Sequence, residues 1–453
     1  MTLRFGTDGV RGLANAELTP ELVLALGRAA ATVLGGPGFL VGRDTRRSGP
    51  LLHAALAAGL QSEGVDVVDL GVLPTPGVAA RSAALGVPAA VISASHNPFP
   101  DNGIKLFAAG GRKLEEETEA RVEQRLVELL GAAGAGAGGQ ERRTGRSVGT
   151  TSVDDSAAAW YGEQLVAALA GRDLGGLTVA LDCANGAASA VAATAFTAAG
   201  AHVVVTLADR PDGTNINDGC GSTDPSGLAA AVVEHGAALG LAFDGDADRV
   251  IAEDGGGRVV DGDRLLALFA ADLRARGALA ADTVVVTVMS NLGFHKAMAA
   301  AGIAVHTTDV GDRNVLAALE ANGWSLGGEQ SGHLVFREQA TTGDGIRSGL
   351  LLADLVVRAG RPLADLAGAA MESLPQILRN VPVADRAGLA AAPAVWEEVA
   401  AVEAELGADG RVLLRPSGTE PYVRVMVEAL TVERARAAAD RLEAAVRLAL
   451  PVT

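Results

Sequence analysis

The chain has 453 residues, of which 49% are hydrophobic and 3% aromatic, and its formal net charge is −17. A chain of this length is expected to form several domains, with cores filled mainly by small side chains. Nucleic-acid binding is not expected, because an acidic chain repels phosphate backbones and few aromatic rings are present to stack on bases.

The two cysteines and the apolar segments indicate where the protein works. Cys183 and Cys220 cannot build a disulfide framework for a chain of this length, which favours a reducing compartment. Residues Met1–Gly12 carry charges and no apolar run, so no secretory signal is expected. Charged residues or glycines interrupt every apolar stretch before about 18 residues, which is too short to span a bilayer. The sequence therefore predicts a cytoplasmic protein with no membrane segment.

The first part of the chain alternates β-branched runs with runs rich in Ala and Leu. Thr19 and Pro20 are typical of the N-cap and first turn of a helix. Further elements are predicted as strands at Phe39–Val41, Val65–Leu70 and Ala89–Ile92 and as helices at Gly49–Glu63 and Lys113–Leu130. Residues Gly131–Gly139 are all glycine or alanine and predict a flexible linker or a long surface loop.

Two more segments repeat this α/β pattern. Their strands are predicted at Leu177–Asp182, Ala201–Leu207, Leu239–Phe243, Thr283–Val288 and Ile303–Thr308, with another segment starting at Val250. An apolar helix follows Gly343. Strands separated by segments of helical length imply right-handed crossovers and mostly parallel sheets.

The last segment, from about Pro375, has a different pattern. Strands are predicted at Arg411–Leu414 and Tyr422–Ala429, followed by a helix at Val432–Leu448. We therefore expect three successive mixed α/β domains of similar architecture, at residues 1–150, 151–250 and 251–372, and a C-terminal α+β domain at 373–453. The four domains are expected to surround a central cleft.

An acidic motif directly follows the predicted strand Leu239–Phe243. Asp244, Asp246 and Asp248 occupy alternate positions, and Gly245 permits the loop to curl so that their carboxylates converge. Carboxylates without histidine or thiolate partners favour a hard cation, Mg²⁺ over Zn²⁺. The alternative is a solvated acidic turn that binds nothing.

A serine motif, Ser93–Pro98, also follows a predicted strand. A serine is a poor nucleophile unless a base activates it or its leaving group is stabilised. His96 beside Ser95 would suit a hydrolase, but the Gly-x-Ser-x-Gly nucleophile elbow is missing. Lys105, a short way downstream, suits a general acid, a general base or a phosphate counter-ion. The alternatives are a plain polar turn and a surface lysine.

Two later loops suit recognition of a phosphorylated sugar. Residues Gly327–His333 interleave glycines with Glu329, Ser331 and His333, which offer the donors and acceptors that sugar hydroxyls require. Residues Arg415–Arg424 bracket hydroxyls and a glycine with two arginines, a combination that suits a phosphate dianion. A polar Gly-rich hairpin and a charged hairpin tip are the alternatives. Smaller basic groups occur at Arg11, Arg43, Arg46 and Arg47 and are uninformative singly.

Together these motifs resemble the α-D-phosphohexomutase superfamily over the whole chain, from Phe5–Gly12 to Arg415–Pro421. Within it, Phe5–Gly12, Ser93–Phe107 and the loop Gly328–His333 most resemble the bacterial branch that acts on glucosamine phosphates. Relatives acting on mannose or glucose phosphates more often carry methionine in place of Gln330. The resemblance implies that phospho-Ser95 gives its phosphoryl group to the sugar, forming a 1,6-bisphosphate that returns the other phosphate to the serine. This would serve amino-sugar nucleotide and cell-wall precursor synthesis.

The resemblance also implies residue roles. One Mg²⁺ per chain is expected on the Ser95 phosphate and on Asp244, Asp246 and Asp248. The implied catalytic residues are Ser95, Lys105, Arg11 and Arg249, and His96 is counted with them because it adjoins the serine. The implied substrate-binding residues are Glu329, Ser331, His333, Arg415, Ser417, Gly418, Thr419 and Arg424. A glucosamine or glucose 1,6-bisphosphate is the expected activator, a small phosphosugar is the expected partner, no nucleic acid or membrane is expected, and a homodimer is allowed.

Some positions depart from the family pattern, and other functions are considered. Pro100, Arg47 and the pair Arg347–Ser348 are unusual beside their motifs, but none has an implied chemical role. Within the superfamily, a phosphomannomutase/phosphoglucomutase is the alternative. A Mg²⁺-dependent phosphatase is a further one, although the expected aspartate-nucleophile motif is not matched at Asp246. A non-catalytic sugar-phosphate sensor would require the loss of a chemical position, and all of them are intact.

Overall fold

The computed structural model describes residues 9–134, 143–417 and 421–452. The chain divides into two compact units, the first comprising Met1–Val288 and Ala304–Gly368 and the second Met289–Ile303 and Ala369–Thr453. The strands are β1 (Val10–Leu13), β2 (Gly38–Arg43), β3 (Asp66–Val72), β4 (Ala89–Ile92), β5 (Asp101–Ala108), β6 (Arg112–Lys113), β7 (Thr151–Val153), β8 (Thr178–Asp182), β9 (His202–Leu207), β10 (Leu239–Phe243), β11 (Val250–Asp254), β12 (Val259–Val260), β13 (Thr283–Thr287), β14 (Ala304–Thr308), β15 (Leu326–Gly328), β16 (Leu334–Phe336), β17 (Gln376–Pro382), β18 (Gly410–Pro416) and β19 (Tyr422–Ala429). The helices are α1 (Pro20–Leu34), α2 (Gly49–Ser62), α3 (Thr75–Leu85), α4 (Glu116–Gly134), α5 (Ala157–Ala167), α6 (Ala192–Ala198), α7 (Ser226–His235), α8 (Gly262–Ala275), α9 (Leu292–Ala300), α10 (Asp312–Asn322), α11 (Gly345–Ala359), α12 (Leu363–Ala370), α13 (Pro393–Leu406) and α14 (Val432–Ala449).

The first unit contains three sheets. The first has the order β1-β5-β4-β2-β3-β7, with β6 paired to β5. The second has the order β12-β11-β10-β8-β9, and the third has the order β14-β13-β15-β16. Helices α1, α2 and α4 cover one face of the first sheet with a core of apolar side chains around Leu26, Phe39 and Leu56. The site described below lies where strands of these sheets end.

The second unit is built on one antiparallel sheet with the order β17-β19-β18. Helices α13 and α14 pack on it around a valine- and leucine-rich core. Mixed α/β segments followed by an antiparallel α+β unit are the predicted fold class, which is confirmed. No helix among the described residues is long and apolar enough to cross a membrane.

The predicted elements are present, with informative differences at their ends. Thr19 caps α1 by accepting a hydrogen bond from the Leu22 amide at 3.3 Å, as its sequence predicted. The helix predicted from Lys113 begins instead at Glu116, because Arg112 and Lys113 pair with β5 as a short strand. The predicted linker begins later than residue 131, since α4 continues to Gly134; the rest of that segment lies outside the described residues.

The first sheet is mixed, which the prediction of mostly parallel sheets missed. Strand β2 is parallel to β3 and β4, but the overlooked strand β5 is antiparallel to β4 and β1. Only residues 93–100 separate β4 from β5, and such a short connection returns the chain antiparallel because a parallel crossover needs a dozen or more residues. The serine motif is therefore the turn of this antiparallel pair.

Candidate active site

Ser95 lies in the connection between β4 and β5 and is buried. Its Oγ donates a hydrogen bond to Oδ2 of Asp244 at 2.5 Å. Its backbone is in the left-handed region, with φ at 53°, a conformation that costs a residue with a side chain about 1–2 kcal/mol. The Ser95 amide donates to Oγ of Ser93 at 2.9 Å, and Ser93 in turn donates to Asp44 at 2.7 Å. A strained backbone held by buried hydrogen bonds thus presents the serine hydroxyl to a carboxylate.

The three alternate aspartates follow β10, as predicted, and their carboxylates converge. One oxygen from each of Asp244, Asp246 and Asp248 lies within 4.8 Å of the others, and all three residues are buried. Gly245 is required here because a Cβ at that position would lie 2.6 Å from the Ser95 carbonyl oxygen. The absence of a side chain lets the serine loop and the acidic loop meet.

The acidic loop fits a hard divalent cation. Oδ1 of Asp246 and Oδ1 of Asp248 are buried and accept no hydrogen bond from any described residue. Buried carboxylate oxygens normally have partners, so two such oxygens facing a third carboxylate suit an oxygen-liganded cation such as Mg²⁺. The other oxygens are already used, since Thr75 donates to Oδ2 of Asp246 at 2.6 Å and the Arg249 amide donates to Oδ1 of Asp244 at 3.1 Å.

Buried positive charge balances part of the acidic loop. Lys105, on β5, places Nζ 2.7 Å from Oδ2 of Asp246 and 3.2 Å from Oδ2 of Asp248. Burial, together with the charges of the other two aspartates, raises the pKa of Asp244 well above its usual range. Burial also acts to raise the pKa of Asp248, but Lys105, His333 and Arg249 outweigh it and hold that pKa well below its usual range. Neighbouring charges therefore shift the pKa values of Asp244 and Asp248 in opposite directions.

Two histidines adjoin this centre in different electrostatic settings. Nδ1 of His96 is 3.4 Å from Oγ of Ser95, and burial together with Arg249 and Arg11 lowers the pKa of His96 to about 4. His96 is therefore neutral near pH 7. Nδ1 of His333 is 3.8 Å from Oδ1 of Asp248.

The protonation of His333 is under two opposing influences. Burial acts to lower the pKa of His333, but Asp248 and other acidic neighbours raise it overall. The Gly343 amide donates to Nε2 at 3.1 Å, which requires that nitrogen to be unprotonated and opposes the rise. The backbone contact thus favours the neutral ring with its proton on Nδ1, facing Asp248.

The predicted sugar loop packs beside the acidic loop. Gly332 is in the left-handed region with φ at 89°, and a Cβ there would lie 2.1 Å from the Val250 carbonyl oxygen at the start of β11. Oε1 of Glu329 accepts a hydrogen bond from the Gly311 amide at 3.1 Å, whereas Ser331 is exposed.

Arg11 lies on β1 opposite Gly103 of β5, and its positive charge helps to lower the pKa of His96. The first unit therefore groups the serine, the acidic loop, Lys105, Arg249 and both histidines.

The second unit contains the predicted phosphate-binding residues. Arg415 and Arg424 are directly opposite each other in the β18–β19 pair, and Ser417 is buried at the end of β18. Two guanidinium groups side by side offer paired donors that suit an anion such as phosphate. Arg386, which the sequence reasoning did not single out, donates to the Ser417 carbonyl at 2.7 Å. Gly418 and Thr419 lie outside the described residues.

Comparison with known proteins identifies the family. Phosphoglucomutase/phosphomannomutase family models match residues 2–129 (α/β/α domain I), 161–257 (domain II), 261–374 (domain III) and 378–445 (C-terminal domain). The chain belongs to this phosphohexomutase family. It is 55% identical to the phosphoglucosamine mutase of Rhodococcus opacus (strain B4), over 97% of this chain and 98% of that protein. The resemblance drawn from the sequence motifs is thereby confirmed.

Solved structures of phosphohexomutases share the fold. A phosphoglucomutase/phosphomannomutase family protein from Burkholderia thailandensis has a TM-score of 0.81 at 26% identity, covering 100% of this chain and 98% of that one. The N-acetylphosphoglucosamine mutase of Aspergillus fumigatus, solved with GlcNAc-6P and magnesium, has a TM-score of 0.69 at 20% identity, covering 99% and 96%.

The sequence did not point to two further residues of this phosphohexomutase that contact the acidic loop or His333. Thr75 opens α3 and binds both the side chain and the backbone of Asp246. Asp312 opens α10, lies 3.6 Å from Nε2 of His333 and pairs with Lys113. A threonine before a proline and an aspartate after a glycine are ordinary helix starts, so no local signal pointed to a role for them.

Proposed function

We propose that this protein is a phosphoglucosamine mutase, which interconverts glucosamine 6-phosphate and glucosamine 1-phosphate through phospho-Ser95 and a 1,6-bisphosphate. The observation that carries the proposal is the 2.5 Å hydrogen bond from Oγ of Ser95 to Asp244 within the buried acidic loop. It supports the proposal because a hydroxyl that can carry phosphate lies beside three carboxylates that suit a divalent cation. Relatives named phosphoglucosamine mutase, matched along nearly the whole chain, support the choice of sugar and do not favour the phosphomannomutase/phosphoglucomutase alternative.

The acidic loop is proposed to hold one Mg²⁺ per chain. Asp244, Asp246 and Asp248 would supply three oxygens, and a phosphate oxygen on Ser95 would supply a fourth. When bound, the ion would neutralise charge that develops on the phosphoryl group during transfer. The two orphan oxygens of Asp246 and Asp248 support this assignment.

Transfer is proposed to depend mainly on positioning and charge. The bond from Oγ of Ser95 to phosphorus breaks while a sugar hydroxyl oxygen forms a new bond to phosphorus, and the proton lost by the sugar hydroxyl ends on Oγ of Ser95. Lys105 and Arg11 are assigned to proton transfer and charge stabilisation, and Arg249 adds positive charge beside the serine. His96, neutral near pH 7, lies 3.4 Å from Oγ and is assigned to hydrogen bonding beside the serine.

The remaining residues are proposed to hold the substrate. Glu329, Ser331 and His333 would bind sugar hydroxyls, because they combine acceptors and donors in one loop. The non-reacting phosphate is assigned to Arg415, Ser417, Gly418, Thr419 and Arg424. Since the bisphosphate must present each phosphate in turn to Ser95, these groups must accept either one, which calls for a conformational step in each cycle.

The wider setting is proposed as follows. Glucosamine or glucose 1,6-bisphosphate would load the serine and act as the activator. The reaction would supply amino-sugar nucleotide and cell-wall precursor synthesis in the cytoplasm. Domain boundaries near residues 150, 250 and 372 and a homodimeric assembly are further proposals.

The deciding experiment compares substrates and one variant. Turnover of glucosamine 6-phosphate, glucose 6-phosphate and mannose 6-phosphate is measured with Mg²⁺ and a trace of glucose 1,6-bisphosphate, for the wild type and Ser95→Ala. The proposal expects glucosamine phosphate to be the best substrate and the variant to be nearly inactive. A preference for mannose or glucose phosphate would move the protein to another branch. If none of the three sugar phosphates is isomerised, the result would favour a Mg²⁺-dependent phosphatase or a non-catalytic sugar-phosphate sensor.

A further inference from the structure

Arg46, in the loop after β2, has a completely buried side chain. A guanidinium group has five N–H donors in a rigid fork, and here each has an acceptor. Nε donates to Oδ2 of Asp44 at 2.9 Å, Nη1 to the carbonyls of Pro98 at 2.5 Å and Asp101 at 3.1 Å, and Nη2 to the carbonyls of Ser95 at 3.0 Å and Asn97 at 2.8 Å. Three of these carbonyls belong to the connection that carries Ser95, and the fourth belongs to Asp101 at the start of β5.

These hydrogen bonds offset the electrostatic cost of bringing the backbone carbonyls of residues 95–101 close together. Four carbonyl oxygens that converge on one buried point repel one another and lose their hydration, and a buried carbonyl without a partner destabilises the fold. One guanidinium cancels both effects for residues 95–101. Its own charge is balanced by Asp44, which also accepts a hydrogen bond from Ser93 at 2.7 Å. Oγ of Ser93 in turn accepts a hydrogen bond from the Ser95 amide. Arg46 therefore holds the Ser95 carbonyl directly and the Ser95 amide through Asp44 and Ser93.

A second residue holds the same carbonyls from another direction. Nδ2 of Asn217, between β9 and β10, donates to the Ser95 carbonyl at 2.9 Å and to the Asn97 carbonyl at 3.0 Å. Asn217 itself has φ at 56°, a left-handed conformation that asparagine tolerates. Two independent donors on the same two carbonyls indicate that the position of this backbone is under strong constraint.

We propose that Arg46 is a positioning residue for phosphoryl transfer, which locks the backbone of residues 95–101 so that Ser95 keeps its hydroxyl aimed at the acidic loop. The inference rests on the proposed function, because it assigns Arg46 a role in that reaction. None of the five donors of Arg46 is directed at the sugar loop. Loss of the lock therefore lowers kcat and leaves KM for the sugar phosphate nearly unchanged.

The primary test is Arg46→Lys, which keeps the charge but offers three donors from a single atom and cannot reach five acceptors. Arg81→Lys is the matched control. Arg81 is also largely buried, makes two hydrogen bonds to Asp154 and stacks on Trp160, and it has no hydrogen bond to the serine loop. Both proteins are compared for steady-state kinetics, for phosphate transfer from glucose 1,6-bisphosphate to Ser95 by intact mass, and for hydrogen exchange of the peptide spanning residues 93–103.

Hydrogen exchange of the peptide spanning residues 93–103 reports directly on the stability of its backbone hydrogen bonds. In the wild type the Asn97 amide donates to the Ala94 carbonyl at 3.1 Å and the Asp101 amide to the Pro98 carbonyl at 3.2 Å. Arg46→Lys is expected to speed exchange in this peptide by about 10-fold or more and to reduce kcat roughly 100-fold, the loss that a misplacement of about 1 Å can cause. KM is expected to change less than about 2-fold, and Arg81→Lys is expected to resemble the wild type.

The outcomes separate this inference from the proposed function. If wild-type Ser95 takes up no phosphate, the proposed function fails, and the exchange data still decide whether Arg46 holds the loop. Unchanged exchange in folded Arg46→Lys overturns the inference, as does a loss that appears in KM alone. If Arg46→Lys does not fold, Asn217→Gly decides, since it removes the two hydrogen bonds from Asn217 to the same Ser95 and Asn97 carbonyls at a φ that glycine tolerates. Faster exchange and lower kcat in that variant support the inference, and wild-type values of both overturn it.

Discussion

Lys105 places its buried ammonium group 2.7 Å from Oδ2 of Asp246, 141 residues away in the chain. The lysine is 4% exposed and lies between two aspartates of the acidic loop. A buried ion pair becomes strongly destabilising when one partner is removed, because the other charge is left uncompensated. The stability of this centre and its ability to bind a cation are therefore linked through Lys105.

Replacement of Lys105 by methionine is expected to lower the free energy of unfolding by about 3–5 kcal/mol in the absence of divalent cations. Added Mg²⁺ is expected to recover part of that loss, because the cation replaces the missing positive charge. Urea unfolding with and without Mg²⁺ measures both effects. Lys296→Met is the control, since Lys296 pairs with Asp409 in an exposed setting, where less than about 1 kcal/mol is expected. Equal losses for the two variants would contradict the prediction.

Replacement of Asp246 by asparagine is expected to weaken Mg²⁺ binding and to reduce kcat/KM on the order of 100-fold, equivalent to about 2.7 kcal/mol. The reason is the loss of a ligand charge next to an oxygen that no described residue satisfies. Mg²⁺ titration of activity and of thermal stability provides the measurement. Asp212→Asn, in an exposed turn, serves as the control. If Asp246→Asn has wild-type activity without an excess of Mg²⁺, the assignment of Asp246 as a Mg²⁺ ligand is contradicted.

Replacement of Gly245 by alanine is expected to disturb the meeting of the two loops. The new Cβ would lie 2.6 Å from the Ser95 carbonyl oxygen, where only backbone movement can relieve the overlap. We expect a loss of about 1–3 kcal/mol in unfolding free energy and a fall in kcat. Gly227→Ala is the matched control because a Cβ in that helix meets no atom within 4 Å. The prediction fails if both variants behave alike.

Replacement of Arg424 by alanine is expected to raise KM for sugar phosphates more than it lowers kcat. Arg424 and Arg415 are opposed in register, so removal of one weakens the grip on an anion. Steady-state kinetics measure both constants, with Arg441→Ala on α14 as the control for a loss of surface charge. A fall in kcat at unchanged KM would argue against a binding role.

Glu253, on β11, is expected to make stability fall as pH rises. Burial, with smaller contributions from Asp182 and Asp254, raises the pKa of Glu253 from 4.5 to about 8. Between these values the native state binds a proton that the unfolded state releases, so stability is lost with increasing pH, by up to about 1.4 kcal/mol per pH unit. Glu253→Gln should match the wild type near pH 5 and exceed its stability near pH 8. Parallel pH profiles in urea unfolding would contradict the raised pKa.

Much of the architecture can be predicted from local sequence. Short apolar runs located β4 and β10 at their observed bounds, and the serine and acidic motifs fell directly after these strands. These strands are predictable because each is buried along its whole length and therefore forms a continuous apolar run in the sequence. The alternate spacing of Asp244, Asp246 and Asp248 similarly indicated converging carboxylates before any distance was known. The helix start at Glu116 was missed because pairing of Lys113 with β5 depends on a partner strand.

The sequence by itself determined the succession of α/β segments, the family and the loop motifs. Only the tertiary structure decided which side chains from distant segments meet. It placed Lys105 against Asp246 by turning β5 antiparallel to β4, and it aimed four of the five donors of Arg46 at carbonyls of residues 95–101. Local patterns record which face of an element is buried, whereas these contacts depend on strand register and on packing between elements. Physical proximity of this kind arises only when the whole chain has folded.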